Sequence, residues 1–210
     1  MRHLIWSSLL CGLLACDSPT TAPLPYYDSP DFTPRWHEPA ALPADFHTVT
    51  PFALKDQHNQ PFTEADLDGK VVVVDFFFTF CPTICPKLTA SMARIDAELP
   101  TDADVVLVSH TVAPEYDTPQ KLRDFAKRSQ ITSPRWFLVT GERAEIYRLG
   151  RSVYFAEGSM GKTKGADEFL HTESMVLVDQ NGHLRGIYNG LDAEAVGQLI
   201  ADAQALLEER

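Results

Sequence analysis

Residues 71–86 read Val-Val-Val-Val-Asp-Phe-Phe-Phe-Thr-Phe-Cys-Pro-Thr-Ile-Cys-Pro, from Val71 to Pro86. Val71 to Phe78 is a near-continuous apolar run rich in β-branched and aromatic side chains, the signature of a strand buried on both faces. It runs out through Thr79 and Phe80 into a turn holding Cys81 and Cys85, and a helical pattern follows. Two thiols at a strand-to-helix junction sit beside unpaired backbone N–H groups and the positive end of a helix dipole. Both favour the thiolate, the form that binds metal or exchanges disulfides. A bridge closing so short a loop does little for stability in the chain-entropy model, so a purely structural role is the weaker reading.

Outward from this segment the chain alternates. Phe52 to Leu54 and Pro61-Phe62 flank a polar turn and read as a small hairpin. Residues 86–99 place Leu88, Met92, Ile95 and Leu99 at helical spacing, and Asp104 to Ser109 is a second buried strand. Thr118 to Ser129 reads as a helix with Pro119 in its first turn, Trp136 to Val139 as a strand, and Glu142 to Leu149 as a short helix. Ser174 to Val178 and Leu184 to Tyr188 flank Asp179-Gln180-Asn181-Gly182, a strong hairpin turn, and Ala193 to Leu207 is amphipathic. This order predicts an α/β fold: a central mixed sheet flanked by helices on both faces, thioredoxin-like, with an N-terminal hairpin.

The remaining sequence sets the context. Of 210 residues 44% are hydrophobic, enough for a real core, and four cysteines are too few for a disulfide scaffold. The net charge of −11 has no basic cluster and argues against nucleic-acid binding. Arg2 precedes an apolar run from Leu4 to Leu14, shorter than the roughly 20 residues that cross a bilayer. It ends in Leu13-Leu14-Ala15-Cys16, which resembles a bacterial lipobox. Residues 1–15 are therefore expected to be a lipoprotein signal peptide, with Cys16 acylated and the protein lipid-anchored in the envelope. Seven of the fifteen prolines fall within residues 17–43, so 16–46 is expected to be a tether below a globular domain at 47–210. Its aromatics, Tyr26, Tyr27, Phe32 and Trp36, offer points of docking on that domain.

Three residues separate Cys81 and Cys85, against two in redox thioredoxins. The longer loop lets both sulfurs face a common centre, and a soft thiolate pair suits Cu(I), with a third ligand completing a trigonal site. Zinc would ask for four ligands, and no second cysteine pair is present. Among seven histidines, His171 lies just before a strand whose entry loop passes the cysteine turn in a thioredoxin-like fold; His110, at the end of strand 104–109, is the weaker candidate. The same cysteines also allow a second reading, a thiol–disulfide oxidoreductase of the envelope with Cys81 as the attacking thiol. A peroxidase is disfavoured, because Thr79 to Pro86 supplies no arginine to hold a reactive thiolate.

Phe78 to Pro86, the segment Pro114-Glu115-Tyr116-Asp117-Thr118-Pro119, and His171 ahead of Val176 to Gly182 resemble the SCO/SenC/PrrC proteins. The likeness covers residues 47–208. It implies a membrane-tethered, thioredoxin-fold copper chaperone with Cys81, Cys85 and His171 as copper ligands. It further implies a partner, the cytochrome c oxidase subunit carrying the copper A site or another envelope copper protein. The task implied is to deliver copper to that centre or to keep its cysteines reduced. Two departures stand out: Phe80 occupies a position usually polar or histidine, and four residues rather than two separate Ser109 from Pro114. Glu157 to Glu168, rich in glycine, serine and lysine, reads as a mobile loop ahead of His171.

Overall fold

A computed structural model describes residues 23–38, 41–157, 170 and 172–209. Two short antiparallel strands, β1 (Ala53–Lys55) and β2 (Pro61–Thr63), form the expected hairpin and lead to β3 (Val71–Phe77). After α1 (Cys85–Glu98) come β4 (Val105–Thr111), α2 (Pro119–Arg128), β5 (Trp136–Val139) and α3 (Arg143–Arg148). The chain closes with β6 (Ser174–Val178), β7 (Leu184–Asn189) and α4 (Ala193–Glu208). The main sheet has the order β5-β4-β3-β6-β7; β3 pairs in parallel with β4 and antiparallel with β6, so the sheet is mixed and β3 lies at its centre.

Every residue of β3 is buried, and the strand's two-residue period divides them between two cores. Val72, Val74 and Phe76 face a layer with the hairpin, Ile146, Leu149 and Tyr154. Val71, Val73 and Phe77 face Leu88, Met92 and Ile95 of α1, Leu122 of α2 and Leu199 of α4. Proline in the first turn of α1 and of α2 has no N–H of its own to leave unpaired, and the Thr118 hydroxyl caps α2 by accepting from Lys121 N. In the β6–β7 turn the Asp179 carboxylate accepts from the N–H groups of Asn181 and His183, while Gly182 takes a φ of 82° that glycine adopts without strain.

Two expectations change. Strand β4 does not stop at Ser109: His110 and Thr111 continue it opposite Phe76 and Phe77, fully buried, their polarity having masked a strand. The helix at 143 continues into a single π-helical turn, Leu149–Val153. The described part of the proline-rich segment, expected as a tether with aromatic docking points, lies on the domain through Tyr26 and Tyr27. Tyr26 is 2% exposed and exchanges backbone hydrogen bonds with Arg35 at 2.8 and 2.9 Å; Tyr27 N–H donates to Leu184 O at 3.0 Å. The Arg185 guanidinium lies 4.1 Å from the centre of the Tyr26 ring and donates to the carbonyls of Leu24 and Pro25. The same guanidinium meets Asp179 at 3.1 Å and Glu209 at 3.0 Å, so one buried cation joins the N-terminal segment, the β6–β7 turn and the chain end. The signal segment, Cys16 and the loop 158–168 lie outside the described residues.

Candidate metal centre

At the carboxyl end of β3 the backbone turns at Phe78, whose carbonyl accepts from Cys81 N–H at 3.3 Å, and α1 starts at Cys85. The turn brings the Cys85 N–H to 3.5 Å from Cys81 Sγ, so the helix start donates to the first sulfur. Both cysteines are free thiols, Cys81 half-buried and Cys85 only 4% exposed.

Their protonation differs sharply. Burial raises the Cys81 thiol, yet the N–H groups of Cys85, Thr83 and Ile84, together with the Cys85 thiol, outweigh it and bring the pKa down to about 7. For Cys85 burial dominates and, with Cys81 and Asp75 nearby, pushes the thiol up to about 12 despite a hydrogen bond from Phe78. Asp75 lies in β3, on the face that α1 covers. It is itself raised to about 7 by burial, which the Ser109 hydroxyl only partly offsets, and among the described residues its Oδ1 has no partner. One thiol is thus about half ionised at neutral pH, while the other keeps its proton until a metal or an electrophile takes its place.

Both cysteines line one small cavity with Phe78, Val112, Leu170 and Thr172; its volume is about 20 Å3, room for a single water-sized occupant. Leu170 is buried against Gly150, where a Cβ would come within 2.4 Å of its Cδ1. Thr172 donates its hydroxyl to Ala156 O and accepts from Ser174 N–H at 2.9 Å. Residue 171 lies outside the described residues, but the residues on either side of it border the same cavity as both sulfurs. Two soft donors around a cavity of this size fit one soft cation. Among the described residues no three His, Cys, Asp or Glu side chains come together.

His110 is not at this cavity. It stacks on Phe76, ring centres 5.1 Å apart, on the sheet face away from α1, with Tyr154 5.6 Å distant. Burial alone lowers its pKa to about 3, so it is neutral, and its membership of β4 points it into the core. What sequence reasoning missed is Asp117, whose carboxylate holds the approach to the cysteine turn from 38 residues away; its only signal was a place in the Pro114–Pro119 segment. The rim of the turn is aromatic: Phe80 and Tyr116, each 52% exposed, meet edge to face at 4.6 Å.

The family model described as SCO1/SenC matches residues 40–208. Among solved structures, a SCO1/SenC family lipoprotein from Bacillus anthracis is 31% identical, with a TM-score of 0.64 over 76% of this chain and 95% of that one. BsSco, described as a member of the Sco family of cytochrome c oxidase assembly proteins with a disulfide switch, is 29% identical, with a TM-score of 0.66 over 78% and 95% of the two chains. ScoI of Bradyrhizobium japonicum, solved with copper bound, is 25% identical, with a TM-score of 0.60 over 76% and 99%.

Proposed function

This chain belongs to the SCO1/SenC family, and from that premise we propose that it is a copper-binding protein of the cell envelope. It delivers copper to the copper A centre of cytochrome c oxidase, or keeps that centre's cysteines reduced. The observation that carries the reading is the shared cavity: Cys81 and Cys85 line it together with both neighbours of His171. In this reading Cys81, Cys85 and His171 hold the copper ion, which is cargo. Cys81 offers a thiolate at neutral pH, Cys85 gives up its proton as it binds, and His171 supplies the third donor. Two thiolates and an imidazole make a soft set suited to Cu(I). Copper bound in a partner-facing cavity can pass to other thiolates by stepwise ligand exchange. Exchange with a partner disulfide, which takes up the two electrons and two protons and becomes a dithiol, leaves the cysteine pair as a disulfide with no thiolate to bind, so redox state gates loading.

The protein is anchored through acylated Cys16 and faces the periplasm, a reading supported by the lipobox-like Leu13 to Cys16 and by likeness to a lipoprotein. Among the described residues no helix is long and apolar enough to cross a membrane. Radiolabelled palmitate incorporated by the wild type and lost in Cys16→Ala tests the anchor.

The decisive experiment titrates reduced protein with Cu(I) against a competing chelator, with an insulin-reduction assay in parallel. One-to-one binding, removed by Cys81→Ser, Cys85→Ser and His171→Ala without loss of fold, supports the assignment. Unchanged affinity in His171→Ala removes that residue from the site. The gap between the two thiols also suits an envelope thiol–disulfide oxidoreductase with Cys81 attacking. Fast insulin reduction with weak copper binding would favour that role.

A further inference from the structure

The cysteine turn is gripped from below by a carboxylate that lies outside it. Asp117, fully buried, accepts from Thr79 N–H at 3.0 Å, from the Thr79 hydroxyl at 2.5 Å and from the Thr111 hydroxyl at 2.5 Å. We propose that Asp117 is a positioning residue: through Thr79 it sets where Cys81 Sγ lies over the start of α1. The inference rests on the reading of Cys81 as the working thiol.

The carboxylate is an unusual choice for a purely structural post. A buried anion surrendering its hydration is costly, and among the described residues no cation contacts this one; its three donors there are a backbone amide and two hydroxyls. An apolar side chain of similar shape would hold two loops together without that cost. What a carboxylate adds is direction, because charge-assisted hydrogen bonds are shorter and roughly twice as strong as neutral ones. Two of the three go to Thr79, which lies two residues before Cys81. The turn is then fixed at both ends: upstream by Asp117, and downstream by the first turn of α1.

Asp117 is itself tied to its surroundings through the backbone. Its N–H donates to Ala113 O at 2.9 Å, and the next residue, Thr118, caps α2. Thr111 sits in β4 and also accepts from Ala113 N–H. Above the carboxylate, the rings of Tyr116 and Phe80 close the same two loops from the solvent side. Cys81 Sγ accepts from the Cys85 N–H at 3.5 Å, and such aim is lost with small shifts of the turn.

The test compares four variants of the full chain: Asp117→Asn, Thr79→Val, Thr79→Ser and Thr111→Val. Each is read by the rate of Cys81 alkylation with iodoacetamide at neutral pH, by the glutathione equilibrium of the Cys81/Cys85 pair, and by Cu(I) competition. Asp117→Asn, which places an NH2 group against a donor, and Thr79→Val are expected to slow alkylation about tenfold. Both are expected to weaken Cu(I) binding 10–100-fold, the usual cost of losing a group that orients a ligand. Thr79→Ser keeps both donors and is expected to match the wild type. Thr111→Val takes a donor from the same carboxylate without touching the turn; it is expected to lower the melting temperature and to leave all three readouts within twofold. Thr79→Val keeps the test open should Asp117→Asn fail to fold. Should Asp117→Asn and Thr111→Val shift the readouts equally, or Thr79→Ser fail to match the wild type, the assignment is overturned. Wild-type protein that binds no Cu(I) would sink the proposed function, while the alkylation rates would still decide on Asp117.

Discussion

The two thiols differ enough to be told apart by a simple reagent. With Cys81 at a pKa of about 7 and Cys85 pushed up to about 12, roughly half of Cys81 is thiolate at neutral pH, against about one Cys85 in 10⁵. A thiolate of higher pKa is the stronger nucleophile: a Brønsted slope of roughly 0.4–0.5 returns about 10²–10^2.5 of that factor to Cys85. The net preference for Cys81 is therefore on the order of 10²–10³, before the burial of Cys85 is added. Reduced protein treated with limiting iodoacetamide near neutral pH, then digested and mapped by mass spectrometry, should carry the label on Cys81 alone. The rate should climb as pH rises through about 7, because the reactive form is the deprotonated one, and level off about one unit higher. Cys85→Ser should keep that profile. Equal labelling of the two sulfurs, or an inflection near the ordinary thiol value of roughly 8.5, would refute the claim that the start of α1 activates Cys81.

Three further outcomes follow from other parts of the molecule. Asp75 is raised to about 7 in the folded chain against roughly 3.9 when unfolded, so its contribution to stability is full in acid and is lost as pH rises through that window. Asp75→Asn should accordingly raise the melting temperature at about pH 8, by an amount worth a few kcal/mol, and change it little at about pH 4; the reverse order would show the carboxyl to be solvated. Arg185→Met strands Asp179 and frees the Leu24 and Pro25 carbonyls, so a loss of about 3–5 kcal/mol in urea unfolding is expected, with hydrogen-exchange protection falling at Tyr26 and Arg35. Asp192 accepts from the N–H groups of Glu194 and Ala195 at the start of α4, and Asp192→Ala should cost about 1 kcal/mol at unchanged denaturant slope.

Strand β3 and the cysteine turn were legible because their signals are local. Seven apolar residues among eight and a following cysteine pair declare a buried strand and a thiol turn without knowledge of anything distant. Strand β4 was cut short because a histidine and a threonine look like a loop; only its pairing with Phe76 and Phe77 shows them to be core. His110 looked available for a ligand for the same reason, and the register of one strand turns it towards Tyr154 instead. Proline content suggests a tether, yet proline sets only backbone geometry and does not say which aromatic docks. Tyr26 docks because a buried guanidinium from β7 awaits it, a partner about 160 positions away. Asp117 eluded the sequence likewise, since its hydrogen bonds to Thr79 span 38 residues.

Under the proposed lipid anchor, the docked N-terminal segment would also govern how the protein stands over a bilayer. Between Cys16, the anchor proposed above, and Leu24, the first residue gripped by Arg185, there are eight steps of chain, which reach about 28 Å at most. Tyr27 joins the sheet at Leu184, beside Val178, which pairs with Val72; the thiols emerge from the other end of that strand, about 20 Å away. With that anchor in place, a short mooring at one pole would turn the reactive pole outward, towards whatever approaches from the aqueous side.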